Sequence, residues 1–278
     1  MVVMTTIIVM SALEKEIQPV RKRFPGKLLQ SGGLDIMHYH DGKNHVFSAF
    51  GGMGLTNCAA AAQTLILIAR AHADSAPDAL LFTGIAGNLN ARLGFGDIVL
   101  GGTTVYEECD RAIIAEDAPY MESFPGSERL INLALGVVRS HSMTAVANNT
   151  DTADAASAMY TEEGIRIPSD DLKNYSSNLS DHRFTVGTIA SSNIFSTDPA
   201  VLSDFISQDG ADAEEMEGAA VAHVCYKNEI ESLIIRSSSN DCGEAYEELN
   251  NHKDAMITAA GLAAQVACEL ADKLLAEE

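Results

Sequence analysis

Apolar residues fall along this chain in short dense blocks, separated by polar junctions that carry glycine. Thr6-Ile7-Ile8-Val9-Met10 is a β-branched run with no polar break, which predicts a buried strand. Ser11-Ala12-Leu13-Glu14 has the spacing of a capping box, so a helix is expected through Glu16 and Val20 towards Arg23. His45 to Phe50 predicts a second strand, and Gly51-Gly52-Met53-Gly54 then opens an alanine-rich helix from Cys58 to Arg70. Asp78 to Thr83 is almost continuously apolar, as in a sheet covered on both faces, and ends in Thr83-Gly84-Ile85-Ala86-Gly87. Further strands are expected from Gly96-Asp97-Ile98-Val99-Leu100, from Phe184 to Ala190 and from Ser232 to Ile235. Met256, Leu262, Val266, Leu270 and Leu274 recur at helical spacing, predicting a long amphipathic helix from His252 to Leu275. Strands that alternate with helices predict an α/β fold with a mixed, mainly parallel central sheet.

Residues Glu116 to Arg183 break this rhythm, and Asn148 to Asp154 is rich in Asn, Thr and Asp. The expectation is one domain over residues 1–278 with an insertion within 116–183. Composition then narrows the function classes. The formal net charge of -21 argues against nucleic acid and anionic membranes as partners. The 5 cysteines are odd in number and widely spaced, which argues against a disulfide framework or a zinc site and suits a reducing cytosol. No apolar run is expected to reach the roughly 20 residues that cross a bilayer. The first strand is followed by charged residues and lacks the flanks of a signal peptide, so a cytoplasmic protein is expected. His38 and His40 share one strand face without further ligands nearby in sequence, so no metal is expected there. The G-x-G-x-x-G fingerprint is absent after the first strand, which counts against a dinucleotide-binding dehydrogenase.

Two segments concentrate polar chemistry. Ala213-Glu214-Glu215-Met216-Glu217-Gly218 places 3 carboxylates on the lead-in to an apolar helix, Ala219 to Tyr226. Burying carboxylates is costly without partners, and the hydroxyls of a ribose would supply them. The strand Ser232 to Ile235 runs into Arg236-Ser237-Ser238-Ser239-Asn240-Asp241. In open α/β sheets, ligands bind outside the carboxyl ends of strands, so the two segments together predict a site for a polar, ring-shaped ligand.

In order, these motifs resemble the nucleoside phosphorylase/nucleosidase superfamily, and most of all its 5′-methylthioadenosine/S-adenosylhomocysteine nucleosidases. Three blocks carry the resemblance: Ala12-Leu13-Glu14-Lys15-Glu16; Thr83 to Gly87 with Gly96-Asp97-Ile98-Val99; and Glu215-Met216-Glu217-Gly218-Ala219-Ala220 through Cys225. The likeness fades between about Asp110 and Arg183. It implies a three-layer sandwich and cleavage of the bond between a purine and its ribose, through a sugar cation like that of glycoside hydrolysis. It gives Glu16 the task of activating the attacking water and Glu217 that of gripping the ribose hydroxyls. Met216 would pack against the sugar, Glu215 would stand at the pocket edge, and Phe195 would stack on the base. Ile85, Met53 and Tyr106 would line the pocket, while His223 is read as structural. No metal or organic cofactor is implied, and homodimers are usual in the family, as is a place in methionine salvage.

The sequence departs from the family pattern at the acid that protonates the purine N7. Counting from Arg236 without a gap puts Asn240 in that place, whereas one inserted residue puts Asp241 there. Asp241 is favoured, because Cys242-Gly243-Glu244 then continues as in some nucleosidases; it would suit a 6-aminopurine. Asn240 would instead suit a 6-oxopurine, as in futalosine-type hydrolases. Phosphorylases begin with a Gly-Asp-Pro-x-Arg-type loop that this chain lacks, so water is the expected nucleophile, with a phosphate-dependent phosphorylase as the alternative. A non-catalytic nucleoside-binding relative is the third reading.

Overall fold

The computed structural model describes residues 4–161, 164–165, 175–244 and 253–277. In chain order its strands are β1 (Thr6–Ser11), β2 (Lys27–Ser31), β3 (Leu34–His40), β4 (His45–Phe50), β5 (Ala79–Asn88), β6 (Ile98–Tyr106), β7 (Ser123–Pro125), β8 (Thr144–Ala145), β9 (Tyr160–Thr161), β10 (Gly164–Ile165), β11 (Arg183–Ser191), β12 (Ala211–Glu215) and β13 (Glu231–Asp241). The helices are α1 (Glu14–Arg23), α2 (Leu55–Ala73), α3 (Arg111–Ile114), α4 (Glu128–Ser140), α5 (Ala155–Met159), α6 (Pro199–Asp209), α7 (Gly218–Lys227) and α8 (Lys253–Ala276). His252, the expected first residue of the last helix, lies outside the described residues.

The main sheet runs β12-β11-β6-β13-β5-β1-β4-β3-β2. Pairing is parallel from β4 through β1 and β5 to β13, and again from β6 through β11 to β12. It is antiparallel between β13 and β6 and along β4-β3-β2. The sheet is therefore mixed and parallel at its centre. β12 also pairs antiparallel with the far end of β5, Ala213 with Asn88 and Glu214 with Gly87. That extra pairing closes β5, β13, β6, β11 and β12 into a ring and sets Glu214 to Glu217 beside the glycine segment of β5.

Strand alternation explains the uninterrupted apolar run of β1. Ile7 and Val9 join one core with Ile17 and Val20 of α1, Leu130 and Val137 of α4, and Leu262, Val266 and Leu270 of α8. Ile8 and Met10 join a second core with Leu65 and Ile66 of α2 and Val221 and Cys225 of α7. Both faces of the strand are covered, so neither tolerates a polar residue.

Four expectations are corrected by the fold. The capping box is displaced: α1 has Leu13, not Ser11, at its N-cap, and the returning carboxylate is that of Glu16, not Glu14. The region expected to be irregular contains α4, whose Leu130, Ala134, Val137 and Val138 are buried core at helical spacing. Its residues 162–163 and 166–174 lie outside the described residues. The β2–β3 hairpin was not expected; Gly32 and Gly33, with φ of +57° and +79°, form its two-residue turn. Finally, α8 is long and apolar enough to cross a bilayer by length and composition. Here its apolar face is packed into the first core.

Candidate active site

A cavity of about 280 Å³ opens at the carboxyl ends of β1, β5, β12 and β13. Glu16 stands in its wall because of how α1 begins. As the third residue of the helix it folds back, so that its Oε2 accepts from the Leu13 N–H at 2.8 Å, while Oε1 accepts from the Ile85 N–H of β5 at 3.1 Å. Each oxygen keeps a second acceptor site for water. The side chain is buried, 2% exposed. Burial pushes its pKa up, against the pull of the Arg236 guanidinium and the two backbone donors. A carboxylate made more basic in this way, and still open to a ligand, is fitted to take a proton from water.

Glu217 precedes α7, and its Oε1 accepts from the Gly54 N–H at 2.8 Å. The Gly51-Gly52-Met53-Gly54 junction therefore spends one amide on a protein carboxylate; Gly52 and Gly54 sit at φ of +92° and +94°, which favours glycine. The Glu217 Oε2 lies 3.5 Å from Nη2 of Arg236. Its pKa is raised first by burial and next by the neighbouring Glu215, with Arg236 opposing. Glu215 is differently placed. Its carboxylate accepts from the Gly218 N–H at 2.8 Å and the Glu217 N–H at 3.1 Å, and is also bonded by the Ser191 hydroxyl and the Arg236 guanidinium. It borders the cavity but is saturated by its own protein, so it holds Arg236 and the start of α7 in place.

Arg236 is the residue the sequence reading missed. It is 1% exposed, and its guanidinium lies over the Phe82 ring at 4.3 Å from the centroid. The carboxylates of Glu215, Glu217 and Glu16 all act on it. The signal was present as a charged residue interrupting an apolar strand, Leu233-Ile234-Ile235-Arg236. Gly84 makes the cluster possible, because a Cβ there would collide with the Arg236 guanidinium and lie 2.8 Å from Glu16 Oε1. Acid outnumbers base around the cavity, which favours a cationic sugar over a neutral one.

Met53, Ile85, Phe195 and Met216 line the cavity as expected, with Met53 52% exposed at its mouth. Two expectations are corrected. Tyr106 lies elsewhere, with its hydroxyl 3.2 Å from His223 Nδ1 and its ring edge-on to Phe124. Asp241 does not reach the cavity wall; its Oδ1 accepts from Asn88 Nδ2 at 2.9 Å. The cause is a bulge: pairing of β13 with β5 shifts register between Ser238 and Asn240. Ser239 and Asn240, adjacent in sequence, thus both line the cavity, which regular alternation would forbid. The Ser239 hydroxyl donates to Asn240 Oδ1 at 2.9 Å, and Asn240 Nδ2 donates to the Asp241 carbonyl at 3.0 Å. That leaves one amide N–H of Asn240 to offer. Glu214, Ser196 and Cys242 complete this end of the wall. Among the described residues, no group of 3 or more His, Cys, Asp or Glu is arranged to hold a metal ion.

Known proteins align with this arrangement along the whole chain. Residues 6–276 match the family model described as the Phosphorylase superfamily. The 5′-methylthioadenosine/S-adenosylhomocysteine nucleosidase of Treponema pallidum is 26% identical over 271 residues, covering 98% of this chain and 94% of that protein. Aminodeoxyfutalosine nucleosidase of Campylobacter jejuni is 26% identical over 279 residues, covering 98% of this chain and 100% of that protein. Among solved structures, the 5′-methylthioadenosine/S-adenosylhomocysteine nucleosidase of Helicobacter pylori with butyl-thio-DADMe-Immucillin-A has the same fold, with a TM-score of 0.73 at 20% identity over 97% of this chain and 99% of that one.

Proposed function

Because this chain belongs to the phosphorylase superfamily, we propose that it is a purine nucleosidase, hydrolysing the bond between a purine and its ribose. One observation carries the reading: Glu16 and Glu217 enter the wall of a single cavity, tied to one buried guanidinium. In the reaction, Glu16 takes a proton from water as the water approaches the anomeric carbon. Glu217 accepts from the ribose hydroxyls, and the surplus of carboxylate steadies the positive sugar. Met216 packs against the sugar and Phe195 against the base. As the C1′–N9 bond breaks, the purine leaves as an anion held at N7 or O6 by the remaining amide N–H of Asn240, and it becomes the free base by taking up one proton from solvent while Glu16 returns the one it took from water.

Water is the nucleophile in this reading because no arginine lines the cavity among the described residues, while Arg236 is engaged by Glu215 and Glu217. The parent substrate type is methylthioadenosine or S-adenosylhomocysteine. The position of Asn240, in place of Asp241, favours a second type, a 6-oxopurine nucleoside. The reading extends to one three-layer domain, supported by the cores on both sheet faces. It also extends to a cytoplasmic homodimer acting in methionine salvage. Exposed Met53, Ile194 and Phe195 at the cavity mouth support a partner there.

The test is base release from a panel of purine nucleosides, with and without phosphate. Release in phosphate-free buffer is expected, with a loss of roughly 10²–10⁴-fold in Glu16→Gln, the usual worth of one general base. Strict dependence on phosphate would replace the hydrolase with a phosphorylase, and binding without turnover would leave a nucleoside-binding protein.

A further inference from the structure

Two successive amides at the start of α2 go to two different segments that build the cavity. The Gly54 N–H donates to Glu217 Oε1 at 2.8 Å, and the Leu55 N–H donates to Asn193 Oδ1 at 3.0 Å. The first N–H groups of a helix have no partner within it, and a side chain at the N-cap commonly supplies one. Here the N-cap is Gly54, which has no side chain to offer. Asn193 provides the missing oxygen from 138 positions away. The approach is close. A Cβ on Gly54 would lie 3.1 Å from Asn193 Oδ1, and the φ of Gly54 is +94°, so glycine is required there on both counts.

Asn193 belongs to the loop that carries Phe195. That loop leaves the end of β11, where the Ser192 N–H donates to the Glu215 carbonyl at 3.1 Å. The Ser192 hydroxyl donates to Glu108 Oε2 at 2.5 Å and accepts from the Ile194 N–H at 2.8 Å. Beyond this turn, Ile194 and Phe195 stand at the cavity, 54% and 38% exposed. Packing does not enclose these two side chains, so the path of the backbone sets where the Phe195 ring stands. We propose that Asn193 is a positioning residue: by capping α2 it fixes the base-stacking loop against the turn that holds Glu217, so that base and ribose are gripped as one unit. This rests on the nucleosidase reading of the cavity. The physical effect is preorganisation. With the tie in place, Phe195 and Glu217 keep a spacing set by two adjacent amides before a ligand arrives. Without it, ordering the loop draws on the energy of binding.

The experiment compares wild type, Asn193→Ala, Asn193→Asp, Phe195→Ala and the Asn193→Ala/Phe195→Ala double variant. Hydrolysis of 5′-methylthioadenosine and 5′-methylthioinosine gives kcat and KM, calorimetry gives the affinity for adenine and hypoxanthine, and urea midpoints give stability. Asn193→Ala is expected to weaken base binding and to lower kcat/KM for the better substrate by roughly 10-fold, within the scale of a misplaced reacting group. Asn193→Asp should recover most of that loss, since a carboxylate oxygen accepts the same N–H and suits a helix N-terminus. Once Phe195 is alanine, the further loss on removing Asn193 should be smaller by roughly 3-fold, because the tie acts through that ring. The proposal is overturned if Asn193→Ala keeps wild-type kcat/KM and base affinity, if Asn193→Asp is as impaired as Asn193→Ala, or if the two losses simply multiply. A cap that serves folding alone would lower the urea midpoint and leave the kinetics intact. The two readings fail separately. If wild type binds a base but hydrolyses neither nucleoside, the nucleosidase falls, and base affinity across the same variants decides the role of Asn193. If hydrolysis is efficient and unchanged in Asn193→Ala, the tie falls and the nucleosidase stands. If wild type neither binds a base nor hydrolyses a nucleoside, both fall.

Discussion

Arg236 compensates carboxylates that would otherwise be buried without a counter-ion. Its guanidinium bonds to Glu215 and Glu217, and its plane lies against Phe82. Removing one member of such a cluster leaves the others charged and desolvated. Arg236→Met is therefore expected to cost about 3–5 kcal/mol of stability, read from urea unfolding. A loss under 1 kcal/mol would mean that water already reaches the cluster. At this scale the sequence was legible where a residue type is costly to bury. Glu217 stood out among three carboxylates leading into an apolar helix, whereas Glu16 was marked only by a motif that resembles a known family. Asp241 was misjudged, because the likeness of Cys242-Gly243-Glu244 to some nucleosidases does not fix which side chains of the strand face the cavity; Tyr106 was misjudged, because an aromatic at a strand end packs in many directions.

At the scale of elements, the site depends on close approach between β5 and its neighbours. Gly84 leaves room for both Arg236 and Glu16, and Gly87 leaves room for Cys242. Gly84→Ala is expected to displace the Glu16 carboxylate from the Ile85 N–H and to lower hydrolysis by roughly 10²-fold, the scale of a 1 Å misplacement of a reacting group. The check is kcat beside circular dichroism, since the substitution acts on geometry. A variant with wild-type kcat would show that the strand shifts to accommodate the methyl. The glycines were visible in the sequence as the end of a strand, although β5 in fact continues through them to Asn88. Their partners were not, since Gly84 and Arg236 are 152 positions apart and meet only through the parallel register of β5 with β13. The displaced cap of α1 has the same origin, because Glu16 is held by Ile85 as well as by its own helix.

For the whole molecule, burial of acids sets the pH dependence. Glu214 in the folded chain titrates at about 7, above its ordinary value of 4.5. An acid whose pKa is raised by folding contributes stability at low pH, below its unfolded value, and loses it as pH rises through the folded value. His38 and His45 act in the opposite sense. Burial and mutual repulsion lower both, His38 to about 4, so their contribution is lost as pH falls below the ordinary 6.5. Between pH 6.5 and 8 the folded histidines are neutral and the unfolded ones lose their last protons, while Glu214 and Glu217, both raised to about 7, are still ionising in the folded chain and outweigh them. Stability is expected to fall over that interval by roughly 1 kcal/mol. Urea midpoints at the two pH values would test this, and a rising midpoint would contradict it. The fall should shrink in Glu214→Gln.

The sequence by itself determined the alternation of strand and helix, the two-faced burial of the central strands and the cluster of carboxylates that leads into α7. Those follow from local periodicity and from the cost of placing charge among apolar residues, and both are written residue by residue. Only the tertiary structure decided that Arg236 anchors the acids and that Asn240 and not Asp241 lines the cavity. Each depends on a strand register, a bulge or a ring closure between segments far apart in the chain, and pairing of that kind leaves no trace in local pattern.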